Sequence, residues 1–214
     1  MNDKEKFIEE CTGPCDWDSL LLKRFEEYVD NDSIVADVGA NHGIFSFGLK
    51  DMKEIYAIEP DIENFNVLKN KSSSKSNIKL INAAVSDYVG KIDIYDGNGD
   101  HATRNILSSN TSKRCTVDCA TLDYIFLEKL KVQPNVCKID TEGAESLVFK
   151  GGMNTIKNMN VLFVEIHNED TYKDIVGICL KEGWKVSCLK NLHQIKTLDE
   201  LNFCYQLIIQ PQEK

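Results

Sequence analysis

The chain has 214 residues, a formal net charge of −9 at pH 7 and a sequence pI near 5.0. That length suits one α/β domain, and the acidic balance argues against a nucleic-acid backbone as partner, since that would need a basic face. No apolar stretch reaches membrane-spanning length, and Met1-Asn2-Asp3-Lys4 lacks a signal-peptide core, so a cytoplasmic protein with no membrane span is expected.

Residues 1–32 read as an N-terminal helical extension and 33–214 as the main domain. In the extension, Asp16 or Asp18 caps a helix carrying Trp17, Leu21, Phe25 and Tyr28 on one face. That helix would pack on the sheet or cover a ligand site. The first strand, Ile34–Val38, runs into the turn Asp37-Val-Gly-Ala-Asn-His-Gly43 and a helix over Ile44–Lys50. A second strand, Glu54–Ile58, ends at Glu59-Pro60. Its helix, Asp61–Lys71, turns Ile62, Phe65 and Leu68 inward. Lys69, Lys71, Lys75 and Lys79 are broken by serines and read as a solvated, mobile loop. The third strand, Ile78–Asn82, leads into Ala83-Ala84-Val85-Ser86-Asp87, and Lys91–Tyr95 alternates like an extra strand.

Residues 96–113 are polar and aperiodic. A structureless stretch of that length in a small domain is more often a functional loop than filler, here a lid over substrate offering His101, Arg104 and Asn105 to hydroxyl groups. A helix over Leu122–Leu130 and a buried strand, Asn135–Ile139, ending at Asp140 come next. They are followed by helix Ala144–Asn158, strand Val161–Ile166, helix Thr171–Glu182, and strands Trp184–Leu189 and Phe203–Ile209. The alternation predicts an α/β Rossmann-like fold: a mostly parallel seven-stranded sheet with helices on both faces and an antiparallel C-terminal edge hairpin. The eight cysteines suit a reducing compartment as free thiols. Cys11/Cys15 and Cys115/Cys119 raise a four-thiolate zinc site, but Cys115 to Cys119 spans about 13 Å along a strand, too far for one tetrahedral ion.

An apolar strand, a glycine turn and a second strand ending in an acid are how Rossmann-type sheets hold an adenosine-bearing cofactor. The spacing Asp-x-Gly-x-x-x-Gly differs from the dinucleotide pattern and favours S-adenosylmethionine (SAM), which has no pyrophosphate to seat on a helix N-terminus. Asp37, Gly39, Ala40, Asn41, Gly43, Glu59, Pro60 and Ala84 are the expected cofactor residues. Glu59, at an exposed strand end, would accept from the ribose hydroxyls.

The later strand ends would face the substrate. Asp140, Glu142, Glu165 and His167 form one polar group, with Glu165 and His167 on one strand face. Methyl transfer to an alcohol needs a base for the departing proton, and His167 titrates nearest neutrality. Asp140, Glu142 or Glu165 could instead hold magnesium or manganese. The plainer alternatives are acids that cap the helix at Ala144 and a hydrogen-bonded strand-end histidine.

These segments resemble the FkbM-type SAM-dependent methyltransferases. The resemblance rests on Asp37-Val-Gly-Ala-Asn-His-Gly43, Ile58-Glu-Pro-Asp-Ile-Glu-Asn-Phe65, Asn82-Ala-Ala-Val-Ser-Asp87 and Thr121-Leu-Asp123. It continues through Lys138-Ile-Asp-Thr-Glu-Gly-Ala-Glu145, Gly151-Gly152 and Val164-Glu-Ile-His167. It implies SAM at Asp37, Gly39, Asn41 and Glu59, and Asp140 and Glu142 beside the reaction centre. It also implies O-methylation of a sugar or glycan hydroxyl by a domain or partner of a glycan-synthesis system. A polyketide, lipid or other small alcohol is the alternative acceptor, and a non-catalytic SAM-binding module the alternative role.

Overall fold

The computed structural model describes residues 17–49, 52–73, 75–96, 112–198 and 205–211. In chain order the first elements are α1 (Trp17–Phe25), β1 (Ile34–Val38), α2 (Ile44–Gly48), β2 (Glu54–Ile58), α3 (Ile62–Ser72), β3 (Ile78–Ile81), β4 (Ala84–Val85), β5 (Gly90–Tyr95) and β6 (Lys113–Ala120). A π-helical segment (Tyr124–Leu130) precedes β7 (Val136–Ile139), α4 (Glu145–Ile156), β8 (Val161–Glu165), α5 (Glu169–Lys181), β9 (Lys185–Cys188), β10 (Gln194–Ile195) and β11 (Gln206–Gln210).

The principal sheet runs β10-β9-β11-β8-β7-β1-β2-β3. Strands β3, β2, β1, β7 and β8 pair in parallel, as connections through helices require. The α/β architecture and antiparallel edge are as the sequence predicts, but this sheet has eight strands, not seven. The difference lies at the C-terminal edge. β11 inserts antiparallel between β8 and β9, and the edge hairpin joins β9 to the two-residue β10. A second sheet, β4-β6-β5, carries the extra strand foreseen at Lys91–Tyr95.

Strands β1, β7 and β8 are buried almost throughout, the pattern of a sheet covered on both faces. Helix α1 closes one face. Leu21 and Phe25 are fully buried, and the Phe25 ring lies 4.8 Å from Phe45 and 5.1 Å from Phe163. Of the two placements open to this helix, packing on the sheet is the one adopted.

Helix α3 begins at Asp61, whose Oδ1 accepts from Glu63 N (2.9 Å) and Asn64 N (3.1 Å). Of the expected inward residues Leu68 is buried and Phe65 half-buried, but Ile62 is 51% exposed and Asn64 takes the inward place instead. Two residues along a helix is about 200° of rotation, so with Asn64 inward Ile62 must face out. Lys69, Lys71 and Lys79 are exposed, as a solvated segment requires, but two of the four lysines are anchored. Lys71 Nζ donates to the His42 carbonyl (2.9 Å) and Lys75 Nζ to the Phe47 carbonyl (3.0 Å), fastening α3 and its end to α2.

Two of the sequence motifs, Thr121-Leu-Asp123 and Gly151-Gly152, are architectural. Asp123 accepts from Thr155 N (2.8 Å), Thr155 Oγ1 (2.7 Å) and Asn154 Nδ2 (2.9 Å), which holds the end of α4. A Cβ on Gly151 would collide with the Ser86 carbonyl oxygen, and one on Gly152 would stand 2.9 Å from Leu122. Helix α4 therefore lies against both segments at backbone distance. Gly151→Ala is expected to cost about 1–3 kcal/mol by overpacking. Gly177→Ala, with nothing within 4 Å of its added carbon, should be neutral or stabilising. Urea unfolding of both variants checks this, and equal midpoints would show that α4 is not held so closely.

Candidate active site

The apolar strand β1 ends in a turn whose backbone is left-handed at Gly39 (φ 78°), Asn41 (φ 48°) and Gly43 (φ 81°). Gly39 N and Ala40 N both donate to the Ile58 carbonyl at 3.0 Å, which ties the turn to the end of β2. Glu59 follows immediately. Its Oε2 accepts from Asn41 N (2.8 Å) and its Oε1 from Asp61 N (2.9 Å). Contrary to the expected exposed strand end, Glu59 is only 5% exposed, because the turn and the start of α3 fold over it. Burial pushes its pKa up to about 7 despite the backbone donors.

Above Glu59 opens a cleft with about 650 Å³ of empty space at the carboxyl ends of the strands. Gly39, Asn41, Glu59, Pro60 and Ala84 line it, joined by Asp61, Asn64, Val85, Ile94, Asp140, Thr141 and Glu142. Asp37, Ala40 and Gly43 lie outside that lining. Asp37 is fully buried, accepts from Ser46 Oγ (2.5 Å), and has its pKa raised chiefly by burial. The lining fits SAM: Ile58, Ala84, Val85 and Ile94 offer apolar surface to a purine, Glu59 offers a carboxylate to a diol, and the far end is anionic where a sulfonium would sit.

That far end is built on the turn after β7. Glu142 takes a left-handed backbone (φ 56°) next to Gly143 (φ 108°), which brings residue 145 back beneath the turn. Glu145 is fully buried, and its Oε1 accepts from Gly143 N (2.9 Å), Thr141 N (3.1 Å) and Thr141 Oγ1 (3.2 Å). The same oxygen lies 3.0 Å from His167 Nδ1. The opposite ring nitrogen, Nε2, is 3.3 Å from Glu142 Oε2, 3.7 Å from Asp140 Oδ1 and 4.0 Å from Glu165 Oε1. The four residues predicted to share the mouth are therefore together.

Their charge states are less as expected. Burial opposes a charged His167, but the hydrogen bond to Glu145 and the surrounding carboxylates outweigh it and raise the pKa to about 9. The imidazole is a cation at neutral pH, not the neutral base its ordinary pKa suggests. Burial, then Asp140, lifts Glu165 to about 7, and burial also raises Glu142.

Asp140, Glu142 and His167 each present one ligand atom, all within 4.8 Å of one another, so a candidate metal set exists with His167 where the sequence suggested Glu165. His101, Arg104 and Asn105 lie outside the described residues, as do Cys11 and Cys15; Cys115 and Cys119 lie on β6. Sequence reasoning missed Glu145 and Lys138. A lysine inside the apolar run Val136-Cys137-Lys138-Ile139 was the available signal, and Lys138 is 6% exposed at the centre of the site.

The methyltransferase FkbM domain family matches residues 37–183. A hexuronic acid methyltransferase, AglP of Haloferax volcanii, is 28% identical over 176 residues, which is 80% of this chain and 70% of that protein. A 2-O-methyltransferase, NoeI of Sinorhizobium fredii, is 24% identical over 161 residues, 66% of each. The crystal structure of methyltransferase FkbM from Methylobacillus flagellatus shares the fold at a TM-score of 0.66 and 17% identity, with 96% of this chain matched to 50% of that one. The chain thus spans half the length of that solved relative. Among the described residues no helix is long and apolar enough to cross a membrane.

Because the folded pKa of His167 lies above the ordinary value of 6.5, its stabilising contribution is fully present below that value and lost as pH rises through about 9. His167→Gln is expected to lower unfolding free energy by roughly 1–3 kcal/mol near pH 6, with the deficit shrinking toward pH 9.5. Urea titrations across that range check this. A deficit independent of pH would mean that folding leaves the pKa of the imidazole unshifted.

Proposed function

The chain belongs to the methyltransferase FkbM family, and with it to the SAM-dependent methyltransferases; on that premise we propose that it methylates a hydroxyl group of a sugar or glycan. One observation carries the reading. The cleft that Glu59 lines is also lined by Asp140 and Glu142, which lie beside His167 and Glu165, and this supports a cofactor site continuous with a proton-accepting one. The sugar is supported by the two relatives, which are named for methylation of a hexuronic acid and for 2-O-methylation.

When bound, SAM supplies an electrophilic methyl group with a good leaving group. The protein's own residues do the rest. Glu59 accepts from the ribose hydroxyls, with Gly39 and Asn41 beside it. Asp140 takes the proton of the acceptor hydroxyl as the oxygen attacks, the step at which an alcohol needs help. His167, charged and held by Glu145, keeps the Asp140 and Glu142 carboxylates facing the cleft. Glu165, 4.0 Å from His167 Nε2 and lifted by burial to about 7, is assigned to pass that proton onward. His101, Arg104 and Asn105 are assigned to the acceptor's hydroxyls.

A second reading keeps the reaction and changes its activator. The convergence of Asp140, Glu142 and His167 would suit a divalent ion once the imidazole gives up its Nε2 proton, and the ion would lower the acceptor's pKa in place of a base.

Incubation with methyl-labelled SAM and a panel of uronic acids, neutral glycans, lipids and polyketide alcohols, read by mass spectrometry, tests the acceptor. Label in a sugar methyl ether is the expected result. Label only in a lipid or polyketide overturns the sugar assignment, and no transfer at all favours a non-catalytic module. Asp140→Asn should lower kcat by about 10²–10⁴-fold while moving S-adenosylhomocysteine affinity only a few-fold. Loss of activity in a chelator, restored by magnesium or manganese, would replace the base with the metal.

A further inference from the structure

Lys138 has no part in the expected site, yet it lies where the cofactor turn meets the acidic mouth. Its side chain is 7% exposed, and its Nζ has three oxygens around it for three N–H donors. The Gly39 carbonyl is 3.0 Å away, Asp140 Oδ2 is 3.2 Å away and Asp37 Oδ1 is 3.6 Å away. The strands explain the meeting. Residue 138 is the registered partner of Asp37 on the neighbouring parallel strand, so both side chains leave the same sheet face.

A lysine present only to neutralise buried Asp37 would sit closest to it. The order of distances is the reverse: the Gly39 carbonyl and Asp140 Oδ2 are both nearer than Asp37 Oδ1, while Ser46 Oγ donates to the other Asp37 oxygen, Oδ2. The two nearer oxygens belong to residues that line the cleft, one on the cofactor side and one on the acceptor side.

We propose that Lys138 is a positioning residue, whose buried ammonium ties the Gly39 carbonyl of the cofactor turn to the Asp140 carboxylate and so sets the two halves of the site at a fixed separation. The inference rests on the cleft being the SAM site. Without the ammonium, two carboxylates and a carbonyl oxygen converge on one point with no cation between them, and the turn and Asp140 move apart.

Calorimetric titration with S-adenosylhomocysteine needs no acceptor and tests this directly. Lys138→Met should weaken binding by about tenfold or more, whereas Lys138→Arg, which keeps the charge, should recover a good part of it. In the Asp140→Asn background the same Lys138→Met change should cost markedly less, because one of the opposing charges is already gone. Equal losses in the two backgrounds, or no loss in either, overturn the proposal. If Lys138→Met does not fold alone, the double replacement decides. A folded, binding double variant supports the tie to Asp140, and one that stays unfolded shows that Asp37 is the partner that matters. Wild-type affinity is read in the same experiment, so failure of the cofactor assignment is seen separately from failure of this one.

Discussion

The site depends on how closely the ends of β1 and β7 approach. Asp140 N donates to the Val38 carbonyl at 3.0 Å, and any Cβ on residue 39 would collide with the Asp140 carbonyl oxygen. Glycine at 39 is therefore required twice, by its left-handed backbone (φ 78°) and by the lack of room for a side chain. That contact places the glycine turn after β1 and the acidic turn after β7 side by side, although they are about a hundred residues apart in the chain.

Bringing those turns together concentrates negative charge, and the protein answers with two partly or fully buried cations. Asp37, Asp140, Glu142, Glu145 and Glu165 surround Lys138 and His167. Each cation faces several carboxylates at once, so its charged form is favoured despite desolvation. For the carboxylates burial is the larger influence, and it favours their neutral form, at Asp37 and Glu142 as well. Glu59 and Glu165 both rise to about 7, a range in which a carboxyl group can exchange a proton near neutral pH.

Residues that resemble the family do not all serve the chemistry. Asp123, Gly151 and Gly152 seat α4 against β4 and the segment before the π-helical turn, and Asp37 braces the turn from behind. Helix α4 in turn carries Glu145 at its first residue, so the seating of the helix reaches His167 through one carboxylate. Support and site are parts of one hydrogen-bonded chain.

The alternation of strands and helices, the left-handed glycine turn after β1 and the meeting of Asp140, Glu142, Glu165 and His167 as neighbours were legible in the sequence. All of them follow from local rules: the apolar period, a glycine where the backbone must turn left-handed, and acids at strand ends. What the sequence could not decide depends on distances between segments remote in the chain. Ile62 faces out because Asn64 and Leu68 take the inward face, Glu59 is buried because another turn folds over it, and β11 slots between β8 and β9 by pairing that no local pattern encodes. Charge state is the clearest case. The composition of the motif suggested a neutral imidazole, but His167 gathers its carboxylates from the turn after β7 and the end of β8, and only that gathering makes it a cation. Coulomb interactions act through space, so the fold and not the order of residues sets them.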